Sequence, residues 1–126
     1  MKELPKSELP SVIKITFWWR IGLFLLGLIS TSLIGFLFPY PSFQRLIELG
    51  NGIPSIWSWG GFDGVHYLTI SESGYVADFT QAFFPFFPWV IGIVSKYLSL
   101  NSLYSALLVG NLSLLIAVCL FWSLLR

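Results

Sequence analysis

Hydrophobic residues follow one another along most of this chain instead of alternating with polar ones. The stretch 21–38 contains no ionisable side chain, and as a helix it would be about 27 Å long. This length is close to the thickness of the hydrocarbon core of a bilayer. The pattern therefore predicts a first transmembrane helix over 12–38, preceded by a polar, proline-containing tail at 1–11 that is expected to be disordered.

Two further apolar stretches occupy the second half of the chain. The first, 81–98, contains Pro85 and Pro88, which favour the first turn of a helix because backbone N–H groups have no intrahelical partner there. The second, 99–126, follows Asn101, which with Ser102 is a candidate helix cap. Both stretches are predicted to be transmembrane helices. The expected fold is an all-α membrane protein with about three such helices.

The polar part of the chain is the long connection 39–80. It contains four of the six acidic residues and a single base, Arg45. The sequence SFQRLIELG within it predicts a short amphipathic helix lying at the membrane interface and ended by Gly50-Asn51-Gly52. The first loop is thus predicted to contain short interfacial helices.

Composition supports a lipid environment. Hydrophobic residues make up 56% of the chain and charged residues 10%, whereas soluble domains contain about a quarter charged residues. The bilayer is therefore the expected partner. The net charge is +1 with no basic cluster, so nucleic acid is not expected as a partner.

The distribution of basic residues predicts the orientation. Basic residues are concentrated in cytoplasmic segments, and those near the predicted first and second helices are Lys2, Lys6, Lys14, Arg20 and Lys96. A cytoplasmic N-terminus and an extracytoplasmic loop 39–80 are expected, in a multi-pass protein of the cell membrane or, in a eukaryote, of the endoplasmic reticulum. Because three helices leave a bundle unclosed, a truncated reading frame that lacks a C-terminal part is expected.

The candidate chemistry lies in the loop, where Asp63 and His66 are three residues apart. On a helix this spacing places both side chains on one face, with Tyr67 beside them. The spacing alone also fits a structural pair, in which Asp63 caps the helix or accepts a bond from His66. A metal site would need a third ligand, for which Glu72 and Asp78 are available. The aromatic run AFFPFFP fits an interfacial anchor equally well.

The order of these pieces resembles the first extracytoplasmic loop of the phosphatidylinositol-glycan class V (PIG-V) mannosyltransferases and their bacterial relatives, which are membrane glycosyltransferases of the GT-C type. The family pattern is an aromatic residue, Asp, His or Tyr three positions later, Gly-Tyr, an acid, then Ala-Phe-Phe-Pro and a second proline. Phe62 replaces the usual Trp and Asp78 the usual Glu. The matching positions are Phe62, Asp63, His66, Tyr67, Gly74, Tyr75, Asp78, Ala82, Phe83, Phe84, Pro85 and Pro88.

The resemblance implies a function. A mannose-like sugar would be transferred from a polyprenyl-phosphate carrier to an acceptor hydroxyl on the extracytoplasmic side, with Asp63 as the catalytic base. The resemblance identifies no definite cofactor, and a divalent metal ion is compatible with it. Only three of the eight or more helices of such enzymes are present. The residues expected to contact substrate are Trp59, His66, Tyr67, Tyr75, Asp78 and Phe84.

Two other classes of protein are consistent with the sequence. A polytopic transporter would use Asp63 and His66 as a proton relay, but it would place them within a membrane span rather than in a loop. A small helical scaffold without catalysis would tolerate the substitution Asp63→Asn.

Overall fold

The structure is a computed structural model that describes residues 9–34, 43–76 and 80–125. These ranges contain α-helices, two short 3-10 turns and no strands, which confirms the predicted all-α fold. The helices are α1 (Leu9–Ile34), α2 (Phe43–Leu49), α3 (Pro54–Trp57), α4 (Asp63–Ser73), α5 (Phe86–Leu98) and α6 (Ser102–Leu124).

Within the described ranges, two helices are long and apolar enough to cross a membrane, α1 with 26 residues and α6 with 23. None of the residues in their most apolar windows is buried by the protein. Their side chains are therefore available to lipid. Helix α5 is apolar but has 13 residues. Its length of about 20 Å is less than the hydrocarbon thickness, so a third crossing stays a prediction.

The start of α1 differs from the sequence prediction. The helix begins at Leu9, so the last residues assigned to the disordered tail are helical, and Pro10 is tolerated in the first turn. Lys14 and Arg20 lie inside α1, within the predicted range 12–38. The apolar residues between these two bases continue the helix, so its hydrogen-bonded ladder runs through both.

The loop is folded around a small core of its own. Helices α2, α3 and α4 meet the first turn of α6, and the Phe43 ring lies edge-on to Trp57 with ring centroids 4.9 Å apart. The predicted interfacial helix is α2, and it ends where Asn51 and Gly52 adopt positive φ angles of 52° and 74°. The buried core residues are Leu46, Trp57, Val65, Leu68 and Leu103.

Hydrogen bonds attach the start of α6 to the loop. The Asn101 side-chain oxygen accepts from the Tyr104 N–H at 3.0 Å, which confirms the predicted cap. The Asn101 amide nitrogen donates to the Leu49 carbonyl at 2.8 Å, and the Ser102 hydroxyl donates to Glu72. Helix α6 thus begins beside the loop, whereas strict alternation of three spans would place its start on the opposite side.

Helices α1 and α6 run in opposite directions. Arg20 of α1 bonds to Asn111 of α6, and farther along α1 a Cβ on Gly27 would lie 3.9 Å from the indole nitrogen of Trp59. Trp59 adjoins Gly60, which lies against Leu103 near the start of α6. Increasing residue numbers in α1 therefore approach the loop, and increasing numbers in α6 leave it.

Helix α5 lies against α4 and completes the support of the loop. A Cβ on Gly92 would be 3.0 Å from the Ser71 carbonyl oxygen, so the two backbones approach closely. As predicted from its prolines, the helix starts directly after Pro85, and it ends at Ser99 with a left-handed φ of 53°. This packing fixes the aromatic residues that precede α5 against α4.

Candidate active site

Asp63 is the first residue of α4, and its side chain is exposed. Phe62, with a φ of 54°, separates α4 from the preceding turn. A carboxylate in the first helical turn is stabilised by the partial positive charge of the helix N-terminus. The Asp63 side chain makes no hydrogen bond or ion pair with another described residue. Its oxygens are therefore available to an external group.

His66 and Tyr67 are brought together by one aromatic ring from outside their helix. The His66 imidazole stacks on the Phe83 ring with centroids 4.9 Å apart and planes inclined by 21°. The Tyr67 ring lies edge-on to the same phenyl group at 5.0 Å and to Phe87 at 5.4 Å. His66 thus contacts Phe83, and no hydrogen bond joins it to Asp63 in the described structure.

Tyr75 bonds to the backbone of Phe83, and Phe84 is the next residue along the chain. The Tyr75 hydroxyl donates to the Phe83 carbonyl oxygen at 2.7 Å, which ties the segment after α4 to the segment before α5. The Phe84 side chain is 76% exposed. An aromatic surface is therefore open next to the cluster formed by His66, Tyr67 and Phe83.

Trp59 faces a different part of the molecule. Its ring centroid lies 5.0 Å from the guanidinium carbon of Arg20, a cation–π distance. Its carbonyl oxygen would lie 3.9 Å from a Cβ on Gly64, the residue after Asp63. Trp59 therefore connects the start of α4 with α1. The remaining predicted contact residue, Asp78, lies outside the described residues.

The two other charged groups near the loop core neutralise each other. Arg45 forms an ion pair with Glu72, and its second terminal nitrogen donates to the Thr69 hydroxyl at 3.3 Å. Glu72 also accepts from Ser102. Glu72 is thus bound to Arg45 and Ser102, and in the part of the chain that the structure describes no three metal-ligating side chains converge. Arg45, the only base in the loop, already has its counter-ion.

The structure adds a polar pair that sequence reasoning missed. The Arg20 Nε donates to the side-chain oxygen of Asn111 at 2.8 Å, across 91 residues of sequence. Arg20 was interpreted as a charge flanking the first helix, and Asn111 received no role. The sequence does show that both are polar residues inside apolar spans. Polar side chains there cost free energy and usually have a function.

These features define a helical membrane protein with an accessible carboxylate beside an aromatic surface, held on a loop between membrane helices. A family model described as Mannosyltransferase (PIG-V) matches residues 44–125. The chain therefore belongs to the PIG-V mannosyltransferase family, which confirms the resemblance and supports a glycosyltransferase-type function. Neither the curated proteins nor the solved structures give a match.

Proposed function

We propose that the chain provides the catalytic loop of a membrane glycosyltransferase that moves a mannose-like sugar from a polyprenyl-phosphate carrier to an acceptor hydroxyl on the extracytoplasmic side. The observation that carries this proposal is the exposed Asp63 carboxylate, which has no partner among the described residues. Family membership supports the reaction class, and the unpartnered carboxylate supports the choice of residue.

The chemistry requires one proton acceptor. The acceptor hydroxyl oxygen forms a bond to the anomeric carbon while the bond between that carbon and the carrier's phosphate oxygen breaks. The hydroxyl proton passes to Asp63, and the polyprenyl phosphate leaves with the bonding electrons. The transition state resembles an oxocarbenium ion, as in other reactions at an anomeric carbon. General-base assistance of this kind contributes about 10²- to 10⁴-fold to the rate.

The surrounding aromatic residues suit a sugar. Phe84 exposes most of its ring, and the imidazole of His66 is held flat against Phe83. A sugar has apolar C–H faces that stack on such rings, while its hydroxyl groups can bond to His66 or Tyr67. Trp59, Tyr75 and Asp78 complete the proposed set of substrate contacts.

The activity test uses membranes from cells that express the full chain. Radiolabelled polyprenyl-phosphate mannose is supplied, and the release of its sugar is followed. Asp63→Asn should lower the rate by about 10²- to 10⁴-fold, since the amide cannot accept the proton. Glu48→Gln is the matched control, because Glu48 is an exposed acid of the same loop, and it should keep the parental rate.

Two results would contradict the proposal. If Asp63→Asn released the sugar at the parental rate, Asp63 would not be the base, and another group would have to accept the proton. If membranes with the parent released no more sugar than membranes lacking it, this chain would not perform the reaction unaided. The assay would then be repeated with a C-terminal part of the same enzyme co-expressed, and a further absence of sugar release would reject the proposal.

The proposed orientation has a separate test. Cys119 is the only cysteine, so Cys119→Ala provides a background for Ser73→Cys in the loop and Ser11→Cys near the start of α1. A membrane-impermeant maleimide applied to intact cells should label position 73 and leave position 11 unlabelled until the cells are permeabilised. The reverse pattern would place the loop in the cytoplasm.

A further inference from the structure

A groove runs between α1 and α6, with α3 and Trp59 at one end. Its volume is about 530 Å³, within the range of ligand pockets, which is roughly 300–1,000 Å³. Its walls are largely aliphatic and aromatic. The polar side chains that line it are Thr16, Arg20, Ser55, Tyr104 and Asn111.

Arg20 is held in this groove with most of its donors unused. Its Nε–H is bonded to Asn111, and its guanidinium lies against the Trp59 ring. A guanidinium has five N–H donors. The four N–H groups on its two terminal nitrogens have no partner among the described residues. The side chain is thus oriented and still able to bind an oxygen-rich group.

Arg20 also has no counter-ion among the residues that the structure describes. The single ion pair among the described residues is that of Arg45 with Glu72. Neither α1 nor α6 contains an acidic residue. An arginine within a membrane span is costly unless it is paired, so an anion that reaches it would be favoured by charge complementarity.

The depth of Arg20 restricts the class of anion. Its partner Asn111 lies nine residues after Ser102, about 13 Å along α6 from the helix start. An ion without an apolar part would gain nothing from the apolar walls of the groove. A lipid places its chain against the apolar walls, and its phosphate can accept two parallel N–H bonds from a guanidinium.

We propose that the groove between α1 and α6 binds a lipid that carries a phosphate group, with Arg20 binding the phosphate and the apolar walls binding the chain. Trp59 connects this site to Asp63 through the carbonyl oxygen that lies beside Gly64. Assigning the bound lipid to the sugar donor rests on the proposed function. The proposal that the groove binds such a lipid does not depend on the proposed function.

The test measures binding of a sugar-free polyprenyl phosphate to the purified full chain in a maltoside detergent, which carries no phosphate, by native mass spectrometry. A polyprenol of the same length tests the contribution of the phosphate, and inorganic phosphate tests that of the chain. The parent should bind the polyprenyl phosphate and bind each comparison compound at least about tenfold more weakly, because bonds to a charged group contribute about 1.5–3 kcal/mol.

Variants of α1 and α6 separate the site from general effects. Arg20→Gln should weaken binding by about 10- to 100-fold, while Lys14→Gln, an exposed cation of the same helix, should leave it unchanged. Arg20→Lys should bind with intermediate affinity, since lysine keeps the charge but not the paired donors. Leu112→Trp, which fills the groove without altering charge, should also weaken binding. This variant tests the site if Arg20→Gln does not fold.

Three results would overturn the proposal. The first is equal binding of polyprenyl phosphate by the parent, Arg20→Gln and Leu112→Trp. The second is equal binding of polyprenyl phosphate to polyprenol or to inorganic phosphate. The third is loss of a co-purifying membrane polypeptide from Arg20→Gln with lipid binding unchanged, because the groove would then hold a helix bearing a carboxylate. None of these measurements requires sugar transfer, so this inference and the proposed function can fail separately.

Discussion

The loop and the two long helices differ in what covers their apolar side chains. In the loop core, Leu46 and Leu68, together with Leu103 from the first turn of α6, are almost completely enclosed by protein. In α1 and α6, the most apolar windows contain no buried residue. The loop therefore depends on tight side-chain packing, while the spans depend on the lipid around them. Asp63 belongs to the packed part and Arg20 to the lipid-facing part, so substitutions should affect the two candidate sites through different physical terms.

The largest difference is expected for leucine truncations within one helix. Leu103 is 1% exposed and Leu120 is 59% exposed, and both belong to α6. Leu103→Ala should destabilise the loop by about 2–5 kcal/mol through lost contacts and a residual cavity. Leu120→Ala should change stability by less than about 0.5 kcal/mol. Thermal unfolding in detergent, followed by near-ultraviolet circular dichroism, measures both. Similar losses would mean that α6 is packed evenly along its length.

Two glycine substitutions compare the loop with the span by adding one methyl group to each. A Cβ on Gly50 would lie 2.6 Å from the Trp57 Cβ and 3.1 Å from its Cα, so the backbone would have to shift. Gly50→Ala should cost about 1–3 kcal/mol.

Gly22 in α1 has nothing within 4 Å of its Cβ position. Gly22→Ala should therefore be neutral or stabilising by up to about 1 kcal/mol, since alanine favours helix. Hydrogen exchange of the α2 and α4 amides reports the first change, and the helical signal at 222 nm on heating reports the second. Faster exchange in Gly22→Ala would show that the loop and the span are not energetically separate.

A smaller effect is expected where the loop meets α6. Asn101 both caps α6 and binds the Leu49 carbonyl. Asn101→Ala should cost about 0.5–2 kcal/mol, and Asn101→Ser, which keeps a capping oxygen but loses the bond to Leu49, should cost less. Amide exchange at Tyr104 measures the loss of the cap. An unchanged exchange rate in the alanine variant would exclude a stabilising role for this bond.

The smallest effect is expected for the ion pair on the loop surface. The Arg45 and Glu72 side chains are 38% and 36% exposed. Such pairs contribute about 0–1 kcal/mol, and salt screens them. Arg45→Gln should therefore lower the melting temperature slightly at low salt and less at high salt. A large loss that does not depend on salt would indicate that Arg45 acts through packing or through a ligand.

Much of the fold could be predicted from proline, capping and turn residues, because their effects depend on only a few neighbouring residues. The start of α5 at Pro85, the cap at Asn101 and the end of α2 at Asn51 each follow from backbone rules that depend on immediate neighbours. The first helix was also predicted, although its start at Leu9 was not, because the last residues of the proline-containing segment 1–11 were assigned to the tail.

The long-range contacts could not be derived in this way. Nothing near His66 and Tyr67 in the sequence indicates that both lie on Phe83, because this contact depends on how α5 packs against α4. Arg45 and Glu72 are 27 residues apart, so their pairing also could not be derived from neighbouring residues. A place for Asp63 near the start of a helix was one alternative that the sequence allowed, whereas the lack of a partner for Asp63 among the described residues could not be derived.

The double role of Asn101 has a consequence for synthesis of the protein. The amide of this residue joins the end of α2 to the beginning of α6, and Leu103 supplies one of the walls of the loop core. A ribosome releases residues in order, so α2, α3 and α4 leave it before either group exists. The core of the loop therefore stays incomplete during synthesis until the first turn of α6 emerges.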